Sequence, residues 1–393
     1  MSRHIFKYNN FNNYNSIISQ LINHNIKHNN YTKLYSIGNI KSTQQKFKHQ
    51  NYDINVLQIN KTFPNKEKNN ILIIGGTHSR EITSVNIVMK LIDELLNNDK
   101  YEKILKTNNI YLLPLLNPNG YVIDNAQFKN IPGCQYRKNG ENFIDIKTNY
   151  GTDLNRNSGI VNNFIHPLYS SSVDDIRKKI DQLYLKNEID FDFYNYIKSY
   201  PDNLLIRDIE YCKKFSTWNF NSNSHISSDM FCGFSQNSAP EIKYFQQFFL
   251  KNSFDLVLSH HSNGNIILNP MSYNIINSKV KLFPFFNSDK KRYTNYVNKV
   301  IISNNVYKYD YDRNLLGYDV FGSMNEWCHL ANLSQNLSQN MAKNLAKKKN
   351  FYTFTLETGI EHSTYYLDEK ELNNAVKNGV NLSIDFINKY ESS

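Results

Sequence analysis

The feature that most constrains the fold is the short apolar run Ile71–Ile74, which ends at Gly75 and Gly76. A run of four apolar residues that stops at a glycine pair is typical of a parallel strand buried on both faces. His78 and Glu81 follow directly. We therefore expect them at the carboxyl end of this strand, where open α/β sheets hold their ligands. Their separation of three residues brings both side chains to one face of a helical turn.

Strand and helix patterns alternate on both sides of this run. Helical periodicity predicts helices over about 13–23, 85–96, 173–197, 240–250, 293–303 and from 368 onward. The apolar pattern also predicts strands over 52–59, 110–116, 254–259 and 351–357. Residues 117–120 predict a turn. Strands that alternate with amphipathic helices are typical of a parallel sheet covered by helices. The polar stretch from about 160 to 230 interrupts this rhythm, so we interpret it as an insertion, and residues 332–340 as a linker.

Composition excludes several classes of protein. The chain has 393 residues, of which 40% are hydrophobic and 14% aromatic, as expected of a folded protein. Its formal charge is +10, but lysine and arginine are scattered, which favours a solvated basic face over nucleic-acid binding. The four cysteines form no C-x-x-C pair and do not make a disulfide scaffold. Because no signal-peptide core and no 18-residue apolar run occur, we expect a cytoplasmic protein without a membrane partner.

A second candidate strand ends in a pair of histidines. The apolar residues Leu256–Leu258 lead through Ser259 into His260 and His261. Adjacent residues of a strand face opposite sides, so only one of these rings can reach the site near His78. Together with His78 and Glu81, that ring would supply two nitrogens and a carboxylate, and would leave a fourth position open. This ligand set is typical of catalytic zinc.

Several motifs together resemble the zinc metallocarboxypeptidases of the carboxypeptidase A/B type. Residues 77–83, Thr-His-Ser-Arg-Glu-Ile-Thr, match the family's His-Ser-Arg-Glu stretch, and residues 117–121 resemble its Asn-Pro-Asp-Gly turn. Residues 151–157 resemble its Gly-x-Asp-x-Asn-Arg-Asn. The resemblance extends from about residue 8 to 390. It implies one α/β domain over residues 1–393, with a mixed, mostly parallel central sheet of about eight strands flanked by helices.

The resemblance also implies a ligand set. His78, Glu81 and His261 would hold one zinc ion, with His261 chosen over His260 because His261-Ser262 is similar to the family's His-Ser pair. Asp153 would accept a hydrogen bond from the far nitrogen of His78 and so select its tautomer.

Further residues receive catalytic and binding roles from the same resemblance. Glu357 would act as general base, and Arg137 would stabilise the oxyanion of the tetrahedral intermediate. Asn155 and Arg156 would clamp the terminal carboxylate of the substrate, since a guanidinium matches a carboxylate bidentately. Arg80 would serve an outer subsite.

Three positions depart from the family pattern. His329 stands where the family's mobile tyrosine is expected; because an imidazole can still donate a hydrogen bond, His329 is kept among the candidate catalytic residues, and whether it replaces that phenol is left open. Asn263 replaces the tyrosine that follows His-Ser, and the family's Ser-Glu-Pro-Glu stretch is present only as residues 238–241, Ser-Ala-Pro-Glu.

These features predict a monomeric enzyme that hydrolyses the C-terminal peptide bond of peptides or proteins. Three alternatives remain open at this stage. One is a zinc-binding pseudo-peptidase that recognises C-terminal tails, and another is a related hydrolase of cell-wall stem peptides or acylated amino acids. The third is a structural protein that holds no metal.

Overall fold

The computed structural model describes most of the chain. The described residues are 13–42, 50–61, 68–130, 135–141, 149–158, 172–185, 194, 198, 202, 227–233, 237–270, 286–302, 306–310, 315–316, 320, 322–329, 331–332, 351–359, 365 and 367–390. The segment interpreted as an insertion lies largely outside these residues, and the segment interpreted as a linker lies almost wholly outside them.

The described strands form one eight-stranded sheet with the order β1-β2-β4-β3-β5-β8-β6-β7. The strands are β1 Thr32–Lys41, β2 Asn51–Ile59, β3 Asn69–Ile74, β4 Asn108–Leu113, β5 Leu256–His261, β6 Ile266–Leu268, β7 Lys308–Asp310 and β8 Tyr352–Glu357. The pairs β3–β4, β3–β5, β5–β8 and β6–β7 are parallel, whereas β1–β2, β2–β4 and β6–β8 are antiparallel. The mixed sheet predicted from the sequence is confirmed.

Helices cover both faces of the sheet. They are α1 Tyr14–Lys27, α2 Ile82–Asn97, α3 Glu102–Thr107, α4 Pro118–Asn130, α5 Val173–Leu185, α6 Pro240–Asn252, α7 Phe286–Ile301 and α8 Glu369–Lys389. Helices α2, α7 and α8 enclose one hydrophobic core, and α6 together with Trp327 encloses the other. The central sheet is therefore the middle layer of three.

Strand β3 shows why its sequence is apolar throughout. Ile71 and Ile73 face the core under α2, and Leu72 and Ile74 face the core under α6. All four side chains are fully buried. Burial of a side chain of this size contributes about 1.5–3 kcal/mol, so the strand is stabilised from both sides.

The structure corrects some of the boundaries predicted from the sequence. Strand β4 ends at Leu113 rather than at 116. The predicted turn at 117–120 is wrong, because these residues begin helix α4. Pro118 suits the first turn of a helix, where its missing N–H removes no hydrogen bond. The side chain of Asn117 accepts a hydrogen bond from the N–H of Gly120 at 3.0 Å and so satisfies one of the free donors of that turn.

Strands β1, β6 and β7 were not predicted from the periodicity of the sequence. Strands β6 and β7 have three residues each, too few for a pattern, and every residue of β1 except Ile40 is half-buried or exposed. Within the described part of the chain, no helix has the length and apolar character needed to cross a bilayer.

Candidate metal centre

A glycine turn at the end of β3 places the first two candidate ligands. Gly76 has φ of +61°, a conformation that disfavours other residues, and a Cβ on Gly75 would lie 2.6 Å from the carbonyl oxygen of Ser84. The turn carries His78 to the edge of the sheet, and Glu81 directly precedes α2. The N-terminus of a helix favours a carboxylate at this point.

The third candidate arrives on the neighbouring parallel strand. Ile74 of β3 pairs with Ser259 of β5, so the carboxyl ends of both strands reach the same edge. His261, two residues beyond Ser259, faces this edge. Its ring centroid lies 4.7 Å from that of His78.

Three side chains converge closely enough to hold a metal ion. The Nδ1 atom of His78 lies 2.7 Å from Oε1 of Glu81, and Nδ1 of His261 lies 2.9 Å from Oε2 of Glu81 and 3.1 Å from Nδ1 of His78. The ligand atoms of all three residues fall within 4.8 Å of one another. Ligands bound tetrahedrally to zinc at about 2.0–2.2 Å are roughly 3.3 Å apart. This set of donors and its spacing therefore fit zinc.

The charges in the cluster match this interpretation. Burial alone would raise the pKa of Glu81, but the two imidazoles hold it well below its usual value, so the carboxyl is anionic. Burial, with Arg137 nearby, lowers the pKa of His78. For His261, burial opposes protonation, but the charge of Glu81 outweighs it and raises the pKa. A metal ligand must present a deprotonated nitrogen or oxygen, which His78 and Glu81 already do at neutral pH.

Asp153 contacts the opposite side of the His78 ring. Its Oδ1 lies 3.1 Å from Nε2 of His78, and its Oδ2 accepts a hydrogen bond of 2.9 Å from Nε of Arg137. Although burial would raise the pKa of Asp153, Arg137 and His78 hold it well below its ordinary value. This is the contact expected from the sequence. It favours the tautomer of His78 that leaves Nδ1 free of a proton.

The two neighbouring histidines of β5 face opposite sides of the sheet. His261 faces Glu81, whereas Nε2 of His260 lies 2.8 Å from Oγ of Ser383 in α8. Burial lowers the pKa of His260 to about 3. His260 is therefore a neutral core residue, and only His261 reaches the cluster.

A cavity of about 140 Å³ opens beside the cluster. Glu357 lines it from the end of β8, where it pairs with His261 across the sheet. Arg137, Asn155 and Arg156 line it as well. Arg156 is buried and donates from one guanidinium nitrogen to the carbonyl oxygen of Asn155 at 2.9 Å. The cavity thus combines two of the three candidate ligands, His78 and Glu81, with the carboxylate of Glu357 and two arginines.

Arg80 lies beside the cavity and is not among the residues that line it. Its guanidinium forms an ion pair of 3.0 Å with Asp229 and stacks over the ring of Tyr365, 4.4 Å from the centroid. Tyr365 itself lines the cavity.

The prediction for His329 requires correction, because the structure places this residue away from the cavity. Its side chain is fully buried, with Nδ1 3.0 Å from the hydroxyl of Tyr293 and its ring against Phe351. Phe351 precedes β8, whereas Glu357 ends it. Six strand residues span roughly 20 Å, so His329 packs at the opposite end of the strand. Its position near a family motif in sequence did not imply a position in the site.

Sequence reasoning missed Tyr365. It is one of 28 tyrosines, and nothing in its immediate sequence distinguishes it. Burial is the main cause that raises its pKa, followed by the negative charge of Glu81. The phenol is therefore protonated at neutral pH and can donate a hydrogen bond.

Comparison with known proteins covers nearly the whole chain. The profile described as zinc carboxypeptidase matches residues 17–381. Among curated proteins, the catalytic chain of human carboxypeptidase N is 29% identical over 87 residues, and rat carboxypeptidase Z is 30% identical over 86 residues. These alignments cover 21% and 20% of this chain but only 19% and 13% of the relatives, so the chain matches less than a fifth of their length.

Solved structures agree in fold. Bovine thrombin-activatable fibrinolysis inhibitor, solved with tick carboxypeptidase inhibitor, superimposes with a TM-score of 0.61 at 17% identity and covers 96% of each chain. Carboxypeptidase A from Helicoverpa armigera gives 0.59 at 17% identity, over 96% of this chain and 72% of its own. Since the family profile covers nearly the entire sequence, and the ligand cluster lies where that fold gathers its strand ends, the chain belongs to the zinc carboxypeptidase family.

Proposed function

We propose that this protein is a metallocarboxypeptidase of the carboxypeptidase A/B type that uses one zinc ion to hydrolyse the C-terminal bond of peptides or proteins. The observation that carries the proposal is the shared location of two groups of residues. Two members of the buried cluster, His78 and Glu81, line the same cavity as Glu357, Arg137 and Arg156. The third, His261, lies behind them, with Nδ1 2.9 Å from Glu81.

The three residues of the cluster would hold the metal. When bound, zinc supplies Lewis-acid polarisation of the scissile carbonyl and lowers the pKa of water. Glu357 acts as general base: its carboxylate removes a proton from the attacking water and delivers it to the leaving amine. Its position beside His261 on the adjacent strand supports this role.

Arg137 stabilises the negative charge that develops on the carbonyl oxygen. Its guanidinium is oriented before substrate binds, because Asp153 holds Nε at 2.9 Å and Glu81 lies 3.7 Å from another of its nitrogens. A donor that is already oriented costs no reorganisation during the reaction. The two acidic neighbours also compensate the positive charge of this partly buried guanidinium.

Asn155 and Arg156 make the reaction exopeptidic. Arg156 is buried at the wall of the cavity, and no carboxylate pairs with it among the contacts of the described residues. A free α-carboxylate of the substrate would form the direct ion pair that Arg156 does not make with any described residue. A chain that continued beyond this point would lack that carboxylate and would be excluded.

A peptide library would test the proposal. The zinc-loaded protein should release single residues from the carboxyl end of peptides, and Glu357→Gln should lower kcat by about 10²- to 10⁴-fold while zinc binding is retained. Products that result from internal cleavage would contradict the exopeptidase assignment. Binding of peptide tails without release of amino acids, equal in wild type and Glu357→Gln, would identify a pseudo-peptidase. Cleavage restricted to stem peptides or acylated amino acids would identify the other hydrolase.

A further inference from the structure

Two segments outside the sheet carry residues of the candidate site. Residues 135–141 include Arg137, and residues 149–158 include Asp153. The guanidinium of Arg137 donates from Nε to Asp153 at 2.9 Å, so the two segments meet at this ion pair. A donor aimed at a developing charge needs a fixed position, because a misplacement of about 1 Å can cost roughly 100-fold in rate. The distance between these two segments is therefore important for the proposed reaction.

Asn139 joins the two segments beside this ion pair. Its backbone N–H donates to the carbonyl oxygen of Thr152 at 3.1 Å, and its side-chain oxygen accepts from the N–H of Thr152 at 2.9 Å. The same oxygen accepts from the N–H of Glu141 at 3.0 Å. Thr152 directly precedes Asp153, and Arg137 lies two residues before Asn139. The junction therefore lies next to both partners of the ion pair.

The side-chain amide of Asn139 also anchors this junction to helix α6. Its Nδ2 donates to Oε2 of Glu241 at 3.0 Å, and Glu241 belongs to the first turn of α6. Asn139 and Glu241 are 2% and 1% exposed. Helix α6 packs its phenylalanines into one of the two hydrophobic cores. The anchor is thus a packed helix, which holds a site more precisely than a loop does.

The chemistry of these contacts explains why the residue is an asparagine. The two backbone N–H groups can only donate, so an acceptor oxygen has to face them. On the other side, the oxygen of Glu241 needs a donor. Aspartate has no amide N–H to donate to Glu241, and alanine would leave the N–H groups of Thr152 and Glu141 without this acceptor.

The turn that carries two of the candidate ligands fixes the other side of the segment 135–141. The N–H of Ser79 donates to the carbonyl oxygen of Arg137 at 3.1 Å, and its hydroxyl donates to the carbonyl oxygen of Tyr136 at 2.5 Å. Ser79 directly follows His78. Arg137 is therefore held between the turn of His78 and the junction at Asn139.

We propose that Asn139 is a positioning residue that sets the distance between Arg137 and Asp153, and through them the place of the oxyanion donor and the orientation of His78. The inference rests on the proposed function and adds to it a residue that does not line the cavity. Because Asn139 acts through its neighbours, its loss should lower the catalytic rate and the affinity for zinc and should leave substrate binding unchanged.

Asn139→Ala tests the role in catalysis. For the zinc-loaded protein, we expect kcat to fall by about 10- to 100-fold while KM stays within about threefold, because an oxyanion donor acts only in the transition state. Asn108→Ala is a matched control: Asn108 is 4% exposed and donates to the carbonyl oxygen of Ile104 at 2.9 Å, at the start of β4 and away from the site. The control should lose stability and keep its kcat. Equal kcat in the two variants, or a loss confined to KM, would overturn the inference.

A change of hydrogen-bond polarity tests the contact with Glu241. Asn139→Asp keeps the acceptor for both N–H groups but places a carboxylate opposite a carboxyl. At about pH 6 these two groups share one proton, whereas at about pH 9 both are ionised and repel each other. We expect kcat, relative to wild type at the same pH, to fall by at least about tenfold over this range. Glu141, whose charge also acts on Glu241, is unchanged in every variant.

The double variant Asn139→Asp/Glu241→Gln restores a donor opposite the new carboxylate and should remove most of this fall. Glu241→Gln alone still accepts from Asn139 and should stay near wild type, which completes a double-mutant cycle. Absence of the fall in Asn139→Asp, or its persistence in the double variant, would overturn the role of this contact.

Zinc affinity separates this inference from the proposed function, because it requires no turnover. Competition with a chromogenic chelator should show about tenfold weaker zinc binding in Asn139→Ala, since Asp153 no longer orients His78 correctly. Asn108→Ala should bind zinc like wild type. Equal affinity in the two variants would overturn the inference. If wild type releases no amino acid but Asn139→Ala still binds zinc more weakly than the control, the catalytic proposal fails and the positioning role stands.

Discussion

Oδ1 of Asp153 lies 3.1 Å from Nε2 of His78, while Nδ1 of the same ring faces Glu81 at 2.7 Å. The imidazole is therefore held between two carboxylates, one that would share a metal with it and one that orients it. Because Asp153 also holds Arg137, a single buried acid positions both a candidate metal ligand and the proposed oxyanion donor.

Replacement of Asp153 by asparagine should weaken zinc binding by about 10- to 100-fold, because the ring loses the charge that fixes its tautomer. Competition with a chromogenic chelator would measure the affinity. Asp255→Asn is a matched control: this buried acid accepts a hydrogen bond from the N–H of Asn70 at the other end of β5. The control should lower stability without changing zinc affinity. Equal affinity in both variants would contradict the proposed role of Asp153.

Substitution of His261 in β5 should remove bound zinc, whereas substitution of its neighbour His260 should not. His261→Ala removes a candidate ligand, so the purified protein should lose bound zinc. His260→Ala removes a hydrogen bond to Ser383 on the other face and should lower stability while about one zinc per chain remains. Elemental analysis after dialysis against a weak chelator would measure both. Loss of zinc from the His260 variant alone would reverse the assignment.

Arg156→Ala should raise KM for peptides with a free terminal carboxylate by about 10- to 100-fold, the value of one charge-assisted hydrogen-bonded contact. The same substitution should reduce the discrimination between a free peptide and its C-terminal amide. Initial rates on such a pair would show both effects. If Arg156 acts only structurally, the rates on the free peptide and on its amide will fall by the same factor. Arg156→Lys should recover part of the loss, since it keeps the charge but not the planar fork.

Glu241 should make stability depend on pH. Burial raises the pKa of this carboxyl from 4.5 to about 7, with one oxygen accepting from Asn139 at 3.0 Å. Between these values the folded state keeps a proton that the unfolded state releases, so stability falls as pH rises from about 4.5 to 7, by roughly 3 kcal/mol in total. Below pH 4.5 the contribution is fully present, because both states are protonated.

Urea unfolding of wild type and Glu241→Gln at several pH values would measure this effect. Over that pH range, the free energy of unfolding of wild type should fall relative to that of Glu241→Gln. Glu102→Gln, which removes an exposed charge of the same sign, controls for the loss of one negative charge. A pH-independent difference between wild type and Glu241→Gln would show that folding does not raise the pKa of this carboxyl.

Much of the fold followed from local periodicity. The core strand β3, the amphipathic helix α2 and the strands β5 and β8 were all evident, because alternation and helical spacing depend only on near neighbours. The short strands β6 and β7 and the start of α4 were not. Strand β6 forms by pairing with the longer β8, and β7 by pairing with β6, and no local pattern records either contact.

Sequence by itself determined the spacing of His78 and Glu81, the glycine turn before them and the strand ends that carry them. Strand alternation left His260 and His261 open, the family resemblance favoured His261, and the tertiary structure places His261 against Glu81. Only the tertiary structure decided that His329 packs at the far end of β8, and that Tyr365 and Asn325 line the cavity. The physical reason is the distance along the chain between the residues that interact. Side-chain direction within one element is fixed by its helical or strand repeat, whereas the meeting of two elements depends on a sheet register between residues far apart in the chain, such as Ile74 and Ser259.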